Sequence, residues 1–597
     1  MKTIVKLSLF FSLLIVVLNA CKKDRDDTPT PTNPTSIVVP VSGTVVDVYG
    51  QPLADVTVKA GNYTTTTDYT GSFYLPTANF GTSRYIITFE KTGYFTLTRS
   101  GVPQPGKPIN LAIGLIDENN TTYAAQKNFN SAQADSIVLP DGSIVSFPAN
   151  AFMNLNGTPY NGMVTVKACY LDPTWDNYGM FVFGGDLYGK DLNNNDVMLN
   201  PFSGLNVLLY DNAGNKIQLD TINHKQATVK MQIPAPLVNN APTNIETWEY
   251  APAQGQQVQR GQAGKHGDKY VGQVAHFSFW SCQKPHTGKA TIWGKVIKVV
   301  NGDSVGVSGV KVKVGRQIVV TNAEGKYEAK VPDNLPGIVI VPIFGNVGFS
   351  PIILTNALAN NESKRQDFVL PTGSIVAIHG IVKNSNGQPI ANAYVSAEWY
   401  SSSQQKVVTF TNSLGRFTLP VDASAYYVTL TAKNSTQEAT KYINYPSDTT
   451  DYVIVMPATP GNNKLTVNGS TIFSIVGIPQ GDEVSGYFGG NFLDINVHVP
   501  NSGMFSIYSH NVLFPIIVGQ QYSIPSDFTV QYGTQQLVNP DSLQSGTITF
   551  TKFSTSQGQL IEGTVSGQGW QGGNQVTINF SVPISSQKSM ILRRQRK

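Results

Sequence analysis

The side chains of this 597-residue chain whose type and spacing point to chemistry are its three thiols, one imidazole-hydroxyl pair and one aromatic pair. Cys21 follows Leu18-Asn19-Ala20 directly behind the apolar run Leu7 to Leu18, with Lys2 and Lys6 ahead of it. A positive end followed by a short apolar run is the pattern of an export signal, and the run is too short for a comfortable membrane span. Cys21 therefore reads as a lipid attachment site. Cys169 and Cys282 are the remaining thiols. An oxidising compartment allows them to form a disulfide, although sequence spacing does not fix their Cα separation. His276-Phe277-Ser278 places an imidazole two residues from a hydroxyl. On a regular strand His276, Ser278 and Trp280 would share one face, with Phe277 and Phe279 on the other. Trp399 and Tyr400 fall on an extended hairpin. Exposed aromatics there would stack on sugar rings as a glycan site, and buried ones would fill a gap between domains.

Other chemistry is not indicated. The seven His form no ligand spacing and there is no His-Glu-x-x-His, so no metal site and no cofactor is expected. Asp191 to Asp196 alternates oxygen ligands as a calcium loop does, but Asp196 stands where the sharp turn wants Gly and Phe202 where a bidentate Glu belongs. It reads as a polar hairpin turn. No nucleophile elbow, phosphate loop or carboxylate pair stands out, so the chain is read as non-enzymatic.

The composition says what must hold these residues. Charged residues make up 13%, Gly and Pro number 54 and 35, and short β-branched runs are separated by Thr, Ser and Asn. That is the profile of turn-rich extracellular β modules, at a length that allows several domains. The formal charge is +4, of which Lys2 and Lys6 would leave with the signal, so no basic field for nucleic acid exists.

One pattern occurs three times. Gly43-Thr44-Val45, Gly50-Gln51-Pro52, Val56-Thr57-Val58 and Thr67-Asp68-Tyr69-Thr70-Gly71-Ser72-Phe73 match Gly380-Ile381-Val382, Gly387-Gln388-Pro389, Ala393-Tyr394-Val395 and Thr411-Asn412-Ser413-Leu414-Gly415-Arg416-Phe417. The middle copy has Gly294-Lys295-Val296, Val310-Lys311-Val312 and Thr321-Asn322-Ala323-Glu324-Gly325-Lys326-Tyr327, with Asn301-Gly302-Asp303 in a longer hairpin instead of Gly-x-Pro. These repeats resemble the carboxypeptidase regulatory-like domain, a seven-stranded β-sandwich of the transthyretin type. The resemblance implies an accessory sandwich and no peptidase activity.

The segment 116–285 ends in Tyr270 to Cys282 with the run His276-Phe277-Ser278-Phe279-Trp280. It resembles a β-rich module frequent in Bacteroidetes surface lipoproteins, distantly similar to paired β domains of netrin receptors and ankyrins. In related self-cleaving modules of inflammasome proteins and adhesion receptors the bond before a Ser is broken. That resemblance implies Ser278 as nucleophile, His276 as base and Phe277 as the residue whose carbonyl is attacked. The alternative is a plain alternating strand. Beyond Thr459, Leu465-Thr466-Val467, Gly546 to Phe553, Leu560 to Gly567 and Val576 to Pro583 alternate as antiparallel strands, similar to C-terminal domains of Bacteroidetes lipoproteins.

The N-terminus resembles the lipobox of bacterial lipoproteins, which implies cleavage before Cys21 and acylation of its thiol. Lys22-Lys23-Asp24-Arg25-Asp26-Asp27 resembles the surface-export signal that follows the lipidated Cys in Bacteroidetes, with Arg25 interrupting the acidic run. The expected chain is all-β: multidomain, built of antiparallel β-sandwiches behind a lipoprotein signal peptide. Its parts are 1–20 signal peptide, 21–36 tether, 37–115 first sandwich, 116–285 β-rich module, 286–372 second sandwich, 373–458 third sandwich and 459–597 C-terminal β domain. The expected function is a lipid-anchored, surface-exposed outer-membrane lipoprotein. It would act as an extended stalk with binding or structural roles toward a glycan or a cell-surface protein.

Overall fold

The computed structural model describes residues 36–456 except 346 and 401–403, together with strand segments between 463 and 583. Cys21 and the tether lie outside the described residues. The described chain is a series of β units, with two four-residue helical turns, Tyr178–Phe181 and Ala235–Val238.

The first sandwich faces a three-stranded sheet (Ser72–Phe80, Ile37–Val46, Ile109–Gly114) with a four-stranded one (Tyr63–Thr66, Thr57–Ala60, Tyr85–Glu90, Leu97–Gly101). The third repeats this plan. Arg416–Asp422, Ile375–Lys383 and Asp451–Val455 face Gln404–Phe410, Tyr394–Tyr400, Tyr427–Lys433 and Glu438–Asn444. The second follows it around Lys289–Val300. Pairing is antiparallel, with one difference from expectation: in each sandwich the first strand runs parallel to the last, as Ile37–Val46 does to Ile109–Gly114.

The repeated residues do the same work in each copy. Thr67, Thr321 and Thr411 are buried. Each hydroxyl accepts a hydrogen bond from a backbone N–H (Val56, Val310, Ala393) at 2.9 Å. Each also donates to a backbone carbonyl (Leu53, Val307, Ile390) at 2.6 to 2.8 Å. A buried N–H and a buried C=O that no strand partner reaches are thereby satisfied, each such bond contributing about 1 kcal/mol net. The following Asp68, Asn322 or Asn412 caps the turn by accepting the N–H two and four residues on. Gly71, Gly325 and Gly415 then take φ of +73°, +72° and +70°, where a side chain would press on backbone.

Gly43, Gly294 and Gly380 have a different reason. Each sits opposite an aromatic on the neighbouring strand, Phe73, Tyr327 or Phe417. A Cβ at these glycines would overlap the carbonyl oxygen of Leu111, Gln366 or Tyr452 and would come within 2.9 to 3.1 Å of the aromatic ring. The ring fills the space the missing side chain leaves, and all three rings are buried. In the middle copy Asn301 and Gly302 both have positive φ, the two-residue turn that suits a tight hairpin.

The β-rich module is an eleven-stranded sheet whose long central strand, Asp196–Tyr210, pairs with Met163–Leu171 and Phe279–His286. It is buried on both faces. One face carries the module's own core, with Phe147, Phe152, Leu205 and Trp280. The other belongs to a core shared between units. Phe95 and Ala112 of the first sandwich join Tyr178, Phe181, Trp248 and Phe279 of the module, with Ile318 and Val320 of the second sandwich packed against them. In the C-terminal part, Ser545–Lys552, Leu560–Gln568 and Gln575–Pro583 are consecutive antiparallel neighbours in a six-stranded sheet, beside a five-stranded one.

The expected extended stalk is corrected by these contacts. The first sandwich meets the module through Arg84, which donates to Asp186 and to the Gly255 carbonyl at 2.7 Å each. It also does so through the buried Arg99, whose guanidinium donates to the carbonyls of Gly179 and Val182. Burial pulls that guanidinium down to about 10. The second sandwich meets the module at Lys313–Asp176 (2.7 Å) and the third where Ser308 N–H donates to Thr418 O at 2.9 Å. The first and third then meet each other, and the four units close into one packed body.

Candidate functional site

The run His276-Phe277-Ser278 is not a strand. The chain breaks from extended structure after Val274 and re-enters it at Phe279. The alternation expected across 276–280 is corrected: Phe277 packs with Trp280 against the module's own core, while Phe279 turns to the shared core and stacks on Phe183 at 4.8 Å. The irregular backbone resets the phase. His276 Nε2 lies 3.1 Å from Glu249 Oε2, and the His276 carbonyl accepts a hydrogen bond from the Trp280 indole at 3.0 Å. Burial raises the Glu249 carboxyl, but hydrogen bonds and charge from His276 and Arg260 outweigh it and hold the group below its ordinary range. Ser278 Oγ donates to the Phe279 carbonyl at 3.4 Å. The imidazole is therefore held by a carboxylate rather than by Ser278, and the hydroxyl is bonded to the carbonyl that follows it.

The pairing of Cys169 with Cys282 is corrected too. Both are free and buried, Cys169 in the shared core and Cys282 in the module's own core. The strand Asp196–Tyr210 runs between theirs, and the two thiols point to opposite faces of one sheet. Burial pushes the Cys282 thiol up to about 12 and that of Cys169 higher still.

Trp399 and Tyr400 part company. Trp399 is buried in the third sandwich and packs against Phe344 of the second, centroids 6.3 Å apart. It is not available to stack on a sugar. Tyr400 is 68% exposed. At Asp191 both carboxylate oxygens serve the local turn, accepting from Asn193 and Asn195. Among the described residues no group of three or more His, Cys, Asp or Glu is placed to hold a metal ion. No helix among them is long and apolar enough to cross a membrane.

A cluster of ionisable groups that the sequence reading missed lies between the first and third sandwiches. Lys406 Nζ is 2.8 Å from Asp68 Oδ2 and 3.4 Å from Glu398 Oε2, and Tyr69 donates its phenol hydrogen to Glu398. Tyr74 stacks on Tyr394 with centroids 4.7 Å apart and 28° between planes, flanked by Phe410. Asn110 Nδ2 donates to the Val408 carbonyl at 3.0 Å. Burial lowers Lys406, but Tyr394, Asp68 and Glu398 outweigh it and raise it well above an ordinary lysine. Burial likewise raises Asp68, and Lys406 outweighs it to bring the carboxyl below its usual range. Both shifts keep the pair charged, so the cluster is a latch and not a proton-transfer device. Its sequence signal was Tyr74 beside the core aromatic Phe73, at the outward phase of the strand.

Residues 377–457 match the carboxypeptidase regulatory-like domain family. No curated protein matches the chain. Among solved structures, a shaft pilin of Lactobacillus rhamnosus GG is 11% identical, covering 28% of this chain and 96% of its own, with a TM-score of 0.13. The major pilin subunit of Bacillus cereus is 9% identical, covering 70% and 99%, with a TM-score of 0.12. Such TM-scores are too low to relate the folds. What is established is an all-β multidomain chain whose residues 377–457 match the carboxypeptidase regulatory-like domain.

Proposed function

We propose that this chain is a lipid-anchored lipoprotein of the outer membrane, exposed at the cell surface. In this reading it works by binding and support, not turnover, toward a glycan or a cell-envelope protein. The observation that carries this reading is the closed packing of four β units, in which Arg84 pairs with Asp186, Lys313 with Asp176, and Lys406 with Asp68 and Glu398. A rigid body of this kind suits presentation of a surface. Cys21 supplies its attachment, since several acyl chains at about 0.8 kcal/mol per CH₂ give firm anchoring where one would be marginal. The charged run from Lys22 to Asp27 supports outward export, and the resemblance to Bacteroidetes lipoproteins supports the compartment. Metabolic labelling with a palmitate analogue is expected to mark the wild type and to be lost in Cys21→Ser. Persistent labelling of that variant would remove the anchor from the proposal.

The alternative, self-cleavage between Phe277 and Ser278, would require His276 to leave Glu249 and reach Ser278. On denaturing gels the wild type and Ser278→Ala are expected to run as the same single band. A pair of fragments seen in the wild type and absent from Ser278→Ala would install the autoproteolytic reading instead.

A further inference from the structure

The β-rich module carries a groove on the outer side of its sheet. Ala227–Gln232, Lys269–Val274 and Gln256–His266 lie side by side, with Lys230 opposite Val271 and Val271 opposite Gly264. Val229, Met231, Tyr270 and Ala263 turn into the module's own core, so Lys230, Lys269, Val271, Gly264 and His266 turn outward. Gly264 has no side chain, which leaves the middle of this row low between the lysines and His266. The result is a groove of about 370 Å³ lined by Lys230, His266, Lys269 and Val271.

The groove gathers cationic side chains with little to neutralise them. Across its three strands and their neighbours Asp135–Val138 and Ile144–Phe147 the only carboxylate is Asp135, at the far edge of the sheet and held by Lys127 at 2.6 Å. Lys269 meets Asp268 at 3.3 Å, but Asp268 stands in the turn, is mostly exposed, and also accepts from Gln232 at 3.0 Å. Solvent screens such a pair. Asp141, in the turn beside Lys269, has both oxygens on Ser143. Among the described residues no carboxylate lies within ion-pair distance of Lys230 or His266, and both are exposed. The other basic side chains of the same strand are engaged, Arg260 on Glu249 and Lys265 on the Val238 carbonyl, at 2.6 Å each. Positive charge is thus left uncompensated at one place, the groove.

We infer that this groove binds an acidic polysaccharide, one carboxylate or sulfate group seated between Lys230 and Lys269 with the His266 ring at its edge. The inference rests on the surface-binding reading above and names the ligand class and the residues. Two ammonium groups facing one space form charge-assisted hydrogen bonds to an anion, which are stronger than neutral ones. Val271 supplies an apolar floor for the C–H face of the sugar that carries the group. Gln262 and Gln273, each two residues along from Gly264 and Val271, are exposed on the same side and offer amides to neighbouring hydroxyls. An anionic membrane is recognised instead by clusters of about four to eight Lys or Arg spread over a surface. Here the cations are few and converge, which suits a single acidic group repeated along a polymer.

The test is native affinity electrophoresis of the mature chain through gels containing polygalacturonate, which carries carboxylates, or dextran sulfate, which carries sulfates, with plain dextran as the neutral comparison. At least one acidic polymer is expected to retard the protein where dextran does not. Lys230→Gln and Lys269→Gln are each expected to raise the dissociation constant about tenfold, the loss of one charge-assisted hydrogen bond. Lys216→Gln, the same loss of charge at an exposed turn of the same module, should leave it unchanged. Circular dichroism of each variant establishes that it is folded. Four results overturn the inference: no retardation by either acidic polymer, equal retardation by dextran, retardation that Lys230→Gln and Lys269→Gln weaken no more than Lys216→Gln does, or sedimentation with phosphatidylglycerol vesicles that those two variants abolish while polymer retardation stays as it was. The third places the attraction elsewhere on the chain, and the last makes a membrane the partner. None of these affects palmitate labelling at Cys21, so the two readings fail separately.

Discussion

Gly380→Ala is expected to destabilise the third sandwich by about 3 kcal/mol, the upper part of the range for forcing one extra carbon into a packed core. The added Cβ would overlap the Tyr452 carbonyl, which is backbone in a parallel-paired strand and cannot rotate away. It would also come within 2.9 Å of the Phe417 ring, whose own space is fixed by a fully packed core. Relief requires the strand Asp451–Val455 to move outward, with loss of ladder bonds. Gly387→Ala is the comparison. Gly387 has φ of +81° and a Cβ added there would meet nothing within 4 Å, so only the backbone preference is lost, about 1 kcal/mol. Hydrogen exchange of the strand Ile375–Lys383 reads both variants locally, which avoids treating a multidomain chain as two-state. Equal protection in the two variants would show that crowding at Gly380 is not what fixes the motif.

Lys406→Met is expected to release the first sandwich from the third while both remain folded. The substitution removes the cation shared by Asp68 and Glu398 and leaves Glu398, mostly buried, with the neutral donors Tyr69 and Gln404. Breaking a buried pair costs about 3 to 5 kcal/mol. Asp68 is 38% exposed, so solvent screening reduces this to about 2 kcal/mol for the docked state. The expected readings are a larger radius of gyration in solution scattering and faster exchange in Ser72–Phe80 and Tyr394–Tyr400, with unchanged exchange in the module core. An unaltered radius would show that the aromatic stack of Tyr74, Tyr394 and Phe410 holds the contact alone.

The same latch has a pH dependence with a definite sign. Asp68 is lowered in the folded chain, so its contribution is present above the unfolded carboxylate value of about 3.9 and fades as pH falls through the lower folded one. Lys406 is raised, so its contribution is complete below the unfolded value of about 10.4 and is lost only as pH climbs through the higher folded one. Docking is therefore constant from about pH 4 to pH 10 and weakens on the acid side first.

Local chemistry carried most of the fold into the sequence. Thr67, Asp68, Gly71 and Phe73 lie within one turn and its following strand, and the same four roles recur at Thr321, Asn322, Gly325 and Tyr327 and at Thr411, Asn412, Gly415 and Phe417. Each is a short-range demand: a buried N–H to satisfy, a turn to cap, a positive φ, a ring to bury. Such demands are met by residue type at fixed spacing, which is why they can be read without coordinates. The break at 275–278 was not legible in this way. Alternating apolar residues give the same pattern whether the strand is continuous or interrupted, and it is Glu249, from another strand, that holds the His276 imidazole, with the Trp280 indole on its carbonyl.

The sequence by itself determined the all-β class, the three turn-defined sandwiches and the thiol at Cys21 that carries the anchoring proposal. The tertiary structure alone decided that the sandwiches close on one another. It separated Cys169 from Cys282 by a strand, turned Trp399 into the core and left Tyr400 outside. The reason is the range of the interactions. Asp68 and Lys406 are 338 residues apart, Asp68 in a turn and Lys406 on a strand. A side chain at an outward position looks the same in sequence whether water or another domain meets it, and only the packing of whole units tells the two apart.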